Sequence, residues 1–248
     1  RHFEEAITMN ILVLQHAEAE HPGVFRSFLD EDGHSWTTVH LYRGDPLPES
    51  MAGYHALWVL GGPMDVWQED AHPWLVAEKA FIRRAVMDEG FPFLGLCLGH
   101  QLLAEVVGGT VGPAAEPEIG VLPVNMTVEG ASGILFDGID PVFPVLQWHS
   151  AMVTALPSDC KVLATTDACP VQAFSWQTRA HGVQFHLEVE SDTVESWAAI
   201  PEYAAALDLA LGQNGVEIMR TACADNAEKF ASTAERFYIN WMQCCAQA

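Results

Sequence analysis

Residues 93–101 read Phe93-Leu94-Gly95-Leu96-Cys97-Leu98-Gly99-His100-Gln101, and this stretch decides the fold. A short apolar run of strand character passes through Gly-x-Cys-x-Gly directly into a helical segment, residues 99–107, closed by Gly108-Gly109. A strand that turns at once into a helix, with glycines on both sides of a nucleophilic side chain, is the sequence form of a nucleophile elbow. The glycines permit a cramped turn that lifts the Cys97 side chain above small neighbours. At a helix N-terminus the sulfur would meet unpaired backbone N–H groups and the positive end of the helix dipole, both favouring thiolate. The N–H of Leu98 would point to the space above the sulfur, where an oxyanion would develop. Taken by itself, the motif also fits a buried structural cysteine on a tight βα turn.

Outward from the elbow, apolar strands alternate with amphipathic helices. Residues 11–15 (ILVLQ), 37–42 and 56–60 read as strands, with a helix over 24–31 that stops at Gly33. Residues 73–89 form a strong helix prediction, with Pro73 in the first turn, Gly90 at the end and apolar side chains at helical spacing. Continuous apolar strands separated by helices imply a parallel sheet covered on both faces. The second half changes character. Residues 121–128, 142–148, 161–166, 171–176 and 182–187 read as strands with short connections, and everything after Asp192 reads as helix, with an Ala-rich stretch over 203–211. The expected architecture is α/β: a mostly parallel central sheet flanked by helices, antiparallel additions, and a C-terminal helical extension. The expected division is residues 1–200 and residues 201–248.

A thiolate nucleophile needs a base, and the base needs an orienting group. Residues 182–188, Gly182-Val183-Gln184-Phe185-His186-Leu187-Glu188, supply both. Alternation along a strand puts His186 and Glu188 on one side, so Glu188 can hold one ring nitrogen and leave the other for Cys97. A zinc site is the rival for His186, but no second ligand pair stands at metal spacing, and no metal or cofactor is expected. A third element is Leu60-Gly61-Gly62-Pro63-Met64 at the end of the third strand. Ligands of open α/β sheets sit outside the carboxyl ends of strands, which makes the Gly62 N–H a candidate second oxyanion donor.

Composition excludes several classes. Of 248 residues, 50% are hydrophobic, enough for a full core and against global disorder. The 33 acidic and 11 basic residues give a formal charge of −22, a field that repels nucleic-acid phosphates and anionic lipid. No apolar stretch reaches bilayer-spanning length and no leader opens the sequence, so the cytoplasm is the expected location. The chain opens on Arg1, and Met9 is a candidate start. The six cysteines form no Cys-x-x-Cys pair, which suits a reducing compartment.

These motifs together resemble the class I (triad) glutamine amidotransferases, and among them the glutaminase half of GMP synthase. The matching stretches are ILVLQHAEAEHPG, LGGPMDVWQED, PFLGLCLGHQLLAEVVGG, EIGVLPV, QWHS, CPVQAF and GVQFHLEVE, in the family's order over about residues 10–197. The resemblance implies a flavodoxin-like sheet and a Cys97–His186–Glu188 triad. Cys97 would attack the γ-carboxamide of glutamine or of a γ-glutamyl small molecule, with Gly62 and Leu98 as oxyanion amides. It also implies substrate contacts at Gln101, one helical turn after Cys97, and at His149-Ser150. The sequence departs from the GMP synthase relatives at Ser150-Ala151, where they carry Gly-Asp. The intracellular proteases with a similar elbow place His directly after the cysteine, whereas here Leu98 follows Cys97.

An amidotransferase needs an acceptor for its ammonia. The sequence holds neither a Walker-type Gly-rich Lys-Ser/Thr loop nor a Ser-Gly-Gly pyrophosphatase loop. Three functions stay open: an ammonia-supplying subunit of a separate synthase, a stand-alone γ-glutamyl hydrolase or peptidase, and a non-catalytic binding or regulatory protein. A docking subunit would expose aromatic side chains near the site, with Trp67, Trp74 and Trp148 as candidates; core packing or a substrate-pocket wall is the favoured reading of the same side chains. The helical tail is read first as ordinary packing over the core, with a homo-oligomer built on it as the alternative.

Overall fold

Short runs of Leu, Val, Ile and Phe with no polar face build the centre of the molecule. The computed structural model describes residues 8–246; residues 1–7 and 247–248 lie outside them. The strands are β1 (Asn10–Gln15), β2 (Ser35–His40), β3 (Ala56–Val59), β4 (Phe93–Leu96), β5 (Thr110–Met126), β6 (Val142–Ala155), β7 (Cys160–Thr165), β8 (Ala173–Trp176) and β9 (Ala180–Val183). Among the described residues they form one nine-stranded sheet in the order β2-β1-β3-β4-β9-β8-β7-β5-β6. The run from β2 to β9 is parallel, and every later pairing is antiparallel.

The helices are α1 (Phe25–Glu31), α2 (Trp74–Arg83), α3 (Leu98–Val106), α4 (Val128–Ser132), α5 (Thr193–Ala198), α6 (Pro201–Leu211), α7 (Gly215–Asp225) and α8 (Ala227–Ala246). Side chains of β1 alternate between two cores: Leu12 and Leu14 face α2 and α3, while Ile11 and Val13 face α1 and α8. The second core draws Phe237 and Trp241 from α8 against Phe25 and Trp58. Full burial of such an aromatic side chain contributes about 1.5–3 kcal/mol. The C-terminal helix is thus a covering layer of the sheet. A third, smaller core joins Ile119, Leu146 and Trp148 to Trp197 of α5, Tyr203 and Leu207 of α6, and Met219 of α7.

The strands expected at 11–15, 56–60 and 93–96 fall on β1, β3 and β4, and the helix expected at 73–89 begins after Pro73 as α2. Its last turn is not α-helical: Arg84–Asp88 winds as a π-helical turn. Residues 41–42, expected in the second strand, lie in the 3-10 turn Leu41–Arg43. The strands expected at 121–128 and 142–148 are ends of a much longer pair, β5 and β6, joined from Thr110↔Ala155 to Asn125↔Val142 with shifts of register. Pro113 and Pro117 hid that length, since proline within a run argues against a strand. The strand expected at 182–187 ends at Val183. Beyond it the chain stays extended, and the His186 N–H donates to the Leu146 carbonyl of β6 at 2.9 Å.

Candidate active site

In parallel strands all carboxyl ends lie at one edge of the sheet, and β3, β4 and β9 are neighbours. The segments that follow them are Gly61-Gly62, Cys97 and residues 184–188. Adjacent strand ends therefore deliver the candidate oxyanion loop, the thiol and the imidazole to one place.

Cys97 is the N-cap of α3, with φ 49° and ψ −99°. A non-glycine residue with this backbone costs about 1–3 kcal/mol, and such strain clusters at active sites. The turn is possible because its neighbours lack side chains. A Cβ on Gly95 would lie 2.4 Å from the backbone of Gly99, and one on Gly99 would lie 2.0 Å from the Val59 carbonyl oxygen. The Cys97 N–H is tied to the Val183 carbonyl of β9 at 2.8 Å, which locks the elbow to the strand leading to His186. Among the described residues, the backbone hydrogen bonds include none from the N–H groups of Leu98 or Gly62.

His186 and Glu188 do face the same way. His186 Nδ1 lies 2.6 Å from Glu188 Oε1, and the other carboxylate oxygen accepts from the Leu187 N–H at 3.0 Å. Both residues are buried, and Trp197 stands edge-on to the imidazole with centroids 4.4 Å apart. Burial opposes a charge on His186, but Glu188 and a hydrogen bond with Cys97 outweigh it and hold its pKa well above the usual histidine value. Gln184 Nε2 lies 3.5 Å from the Cys97 sulfur.

A cleft of about 250 Å³ opens over the thiol. Gly62, Cys97, Leu98, Gln101, His149 and Ser150 all line it, while His186, hydrogen-bonded with Cys97, and Glu188 are buried and do not line it. The structure thus brings every expected residue to one region. Two are committed to the protein as well. Gln101 Nε2 donates to the Ala151 carbonyl at 3.1 Å and to Gln184 Oε1 at 3.0 Å. The His149 ring is pinned between the Ala151 carbonyl, 2.9 Å away, and Glu118, 3.1 Å away. Glu118 also accepts from Gln172 and Thr166, so this network shapes the cleft wall from behind.

The tryptophans divide between the two readings: Trp148 and Trp74 follow the packing reading and Trp67 stays exposed. Trp148 is buried against Trp197 and Tyr203, and Trp74 is half-buried and stacks on His16. The small third core claims Trp148, because its indole N–H also finds the Tyr203 carbonyl at 3.3 Å.

Sequence reasoning missed Glu20 and Tyr203. Glu20 is buried beside His186 and Glu188, their polar atoms lying within 4.8 Å of one another, and the Tyr203 hydroxyl donates to its carboxylate. Burial raises the Glu20 pKa, partly offset by His186 and the Tyr203 hydrogen bond. A signal for Glu20 existed: it lies in the segment just after β1, at the carboxyl edge where ligand-facing groups gather. Tyr203 carried none. The Glu20, His186 and Glu188 group is engaged in hydrogen bonds among its own members and with Tyr203 and the Leu187 N–H.

An α/β sheet with a strained cysteine at a strand-to-helix elbow and a carboxylate-bound histidine on the next strand end defines a thiol-bearing amidotransferase-type fold. The chain belongs to the class I glutamine amidotransferase family, whose model matches residues 29–196. It is 28% identical over 190 residues to the glutamine amidotransferase-like protein YfeJ of Salmonella typhimurium, covering 75% of this chain and 79% of that one. It is 35% identical over 161 residues to the GMP synthase [glutamine-hydrolyzing] of Aeropyrum pernix, covering 63% of this chain but only 29% of that longer protein. Among solved structures, a glutamine amidotransferase of Thermotoga maritima superposes with a TM-score of 0.81 at 25% identity, covering 96% of this chain and 99% of that one. One from Methylobacillus flagellatus gives 0.82 at 26% identity, covering 96% of each. No helix among the described residues is long and apolar enough to cross a membrane.

Proposed function

We propose that the protein hydrolyses the γ-carboxamide of glutamine or of a γ-glutamyl compound through a Cys97–His186–Glu188 triad. The observation that carries this is the meeting of a strained N-cap thiol with an imidazole bound at 2.6 Å to a buried carboxylate. The Cys97 sulfur, its proton already held by His186, attacks the γ-carbon as a thiolate. The tetrahedral oxyanion is met by the Gly62 and Leu98 N–H groups. The C–N bond then breaks, and the imidazolium returns its proton to the departing ammonia or amine. The γ-glutamyl thioester remains. Water gives a proton to His186 and attacks the thioester carbon, the C–S bond breaks as the imidazolium stands ready to share its proton with the leaving sulfur, and glutamate leaves with the Cys97–His186 pair restored. Gln101 and the His149-Ser150 segment place the glutamyl end of the substrate.

Two fates of the released nitrogen divide the readings. The GMP synthase relatives carry the words "glutamine-hydrolyzing", which supports ammonia supply to a separate synthase. A stand-alone γ-glutamyl hydrolase is supported by α6, which lends Glu202, Tyr203 and Ala206 to the cleft: the 201–248 extension supplies a wall to the amidotransferase-like region, residues 1–200. Retention of the whole triad weighs against a purely regulatory protein. The test is glutamate release by the purified protein from glutamine and a panel of γ-glutamyl amides and peptides. Cys97→Ala should abolish release while the circular dichroism spectrum stays unchanged. Full activity in that variant would overturn the mechanism.

A further inference from the structure

The loop after β3 is gripped from behind by a buried pair that the scheme above does not use. His16, just past β1, and Glu78, on α2, are both buried. His16 Nε2 lies 2.8 Å from Glu78 Oε1, and His16 Nδ1 lies 2.9 Å from the Gly61 carbonyl oxygen. Carbonyl and carboxylate oxygens only accept, so the ring donates from both nitrogens and is an imidazolium. Burial opposes that charge and Glu78 overrides it, raising the His16 pKa. Trp74 stacks on the ring with centroids 5.5 Å apart, fixing its plane. The second Glu78 oxygen has no hydrogen-bond partner among the described residues. A buried ion pair with an orphaned oxygen is a poor device for stability, since apolar replacements commonly serve as well or better.

We propose that His16, anchored by Glu78, is a positioning residue for the oxyanion hole: it holds the Gly61 carbonyl so that the Gly62 N–H faces the cleft above Cys97. In a planar trans peptide, C=O and N–H point in opposite directions, so holding one sets the other. Gly62 lines the cleft, and its N–H has no backbone acceptor among the described residues. A Gly-Gly peptide is otherwise free to rotate. Rotated, it would present the Gly61 carbonyl oxygen to a developing oxyanion and repel it. Rotation here must break a charge-assisted hydrogen bond in a dry interior, where such bonds are strong. The hole is therefore set in the resting protein, without a partner to turn the peptide over. This inference rests on Cys97 being the nucleophile.

The experiment compares two double variants of the full chain that both remove the ion pair. His16→Leu/Glu78→Gln deletes the donor to Gly61, whereas His16→Asn/Glu78→Gln keeps an amide N–H where Nδ1 stood. Three quantities are read: kcat and KM for glutamate release, the rate of Cys97 alkylation by iodoacetamide, and affinity for glutamate γ-semialdehyde. That aldehyde adds reversibly to the thiol and places an oxyanion in the hole. The leucine variant should lose about 100-fold in kcat, the usual loss for one oxyanion donor, with KM changed less than about twofold. Its aldehyde affinity should fall by a similar factor, and alkylation, which forms no oxyanion, should be unchanged. The asparagine variant should recover most of both losses at a similar melting temperature. Equal kcat and aldehyde affinity in the two variants would overturn the proposal, as would parallel loss of alkylation. If the wild type releases no glutamate, the hydrolytic reading fails separately, and the aldehyde comparison still decides the role of His16.

Discussion

At the scale of single residues, the chemistry of the site is a question of what each buried charge has for company. The Glu188 charge is the main support for the imidazolium of His186, against the cost of burial. Glu188→Gln removes that support, so the His186 pKa should fall. In the proposed mechanism this imidazolium protonates the leaving amine; it is present below its pKa and lost as pH rises through it. The alkaline limb of kcat/KM should therefore move to lower pH, with kcat at pH 7 reduced by about 100-fold or more, as for other triads that lose their orienting carboxylate. An unshifted limb in a pH–rate profile would show that Glu188 does not tune His186. The residues proposed as a triad were legible because they lie in short, local patterns: Gly-x-Cys-x-Gly and His-x-Glu. Glu78 was less legible, yet it left a trace. It sits in the apolar row of Leu75, Phe81 and Ile82 on α2, an acid at helical spacing among core residues, which asks for a buried partner.

Elements explain why other parts could not be read. The long β5–β6 pair contains Gly112, Pro113 and Pro117 and lacks clean alternation, and it is a pair because the two strands complete each other's hydrogen bonds. Such pairing is not encoded locally. The role of α6 was hidden for the same reason: nothing in PEYAAALDLAL places Tyr203 near Glu20, which is 183 residues earlier. That contact ties α6 to the segment after β1. Tyr203→Phe leaves a buried carboxylate without its donor and should destabilise the protein by about 1–3 kcal/mol. Urea denaturation of the two proteins checks this, and an unchanged midpoint would mean that the hydroxyl carries no net stability.

For the whole molecule, the balance of buried histidines sets the pH range of stability. Burial lowers the pKa of His100 to about 3 and of His181 to about 4, so both are neutral in the folded state and take up protons on unfolding below their ordinary value of about 6.5. Each should therefore lower stability by about 1.4 kcal/mol per pH unit in the acid direction, from about pH 6.5 downward. His16 and His186 act with the opposite sign. Their folded-state values are raised, so the stability they contribute is intact below about pH 6.5 and is lost as pH rises through those values. Denaturation curves at pH 5, 6.5 and 8 should show the greatest stability in the middle of that range. A protein equally stable at pH 5 and 6.5 would contradict neutral burial of His100 and His181. The fold class was readable at this scale because buried parallel strands announce themselves as unbroken apolar runs; the position of β9 was not, since sheet order is a property of the closed chain.

That position of β9 has a consequence for how the molecule comes into being. It is the last strand among the described residues, yet it lies in the interior of the sheet between β4 and β8. During synthesis the thiol leaves the ribosome long before its imidazole, and β4 waits as an open apolar edge, the kind of surface on which nascent chains stick to one another. Insertion of β9 closes that edge and in the same movement brings His186 to Cys97. On the proposed mechanism, the nascent protein lacks its base until the sheet is whole, so completion of folding is also the event that assembles the proposed triad.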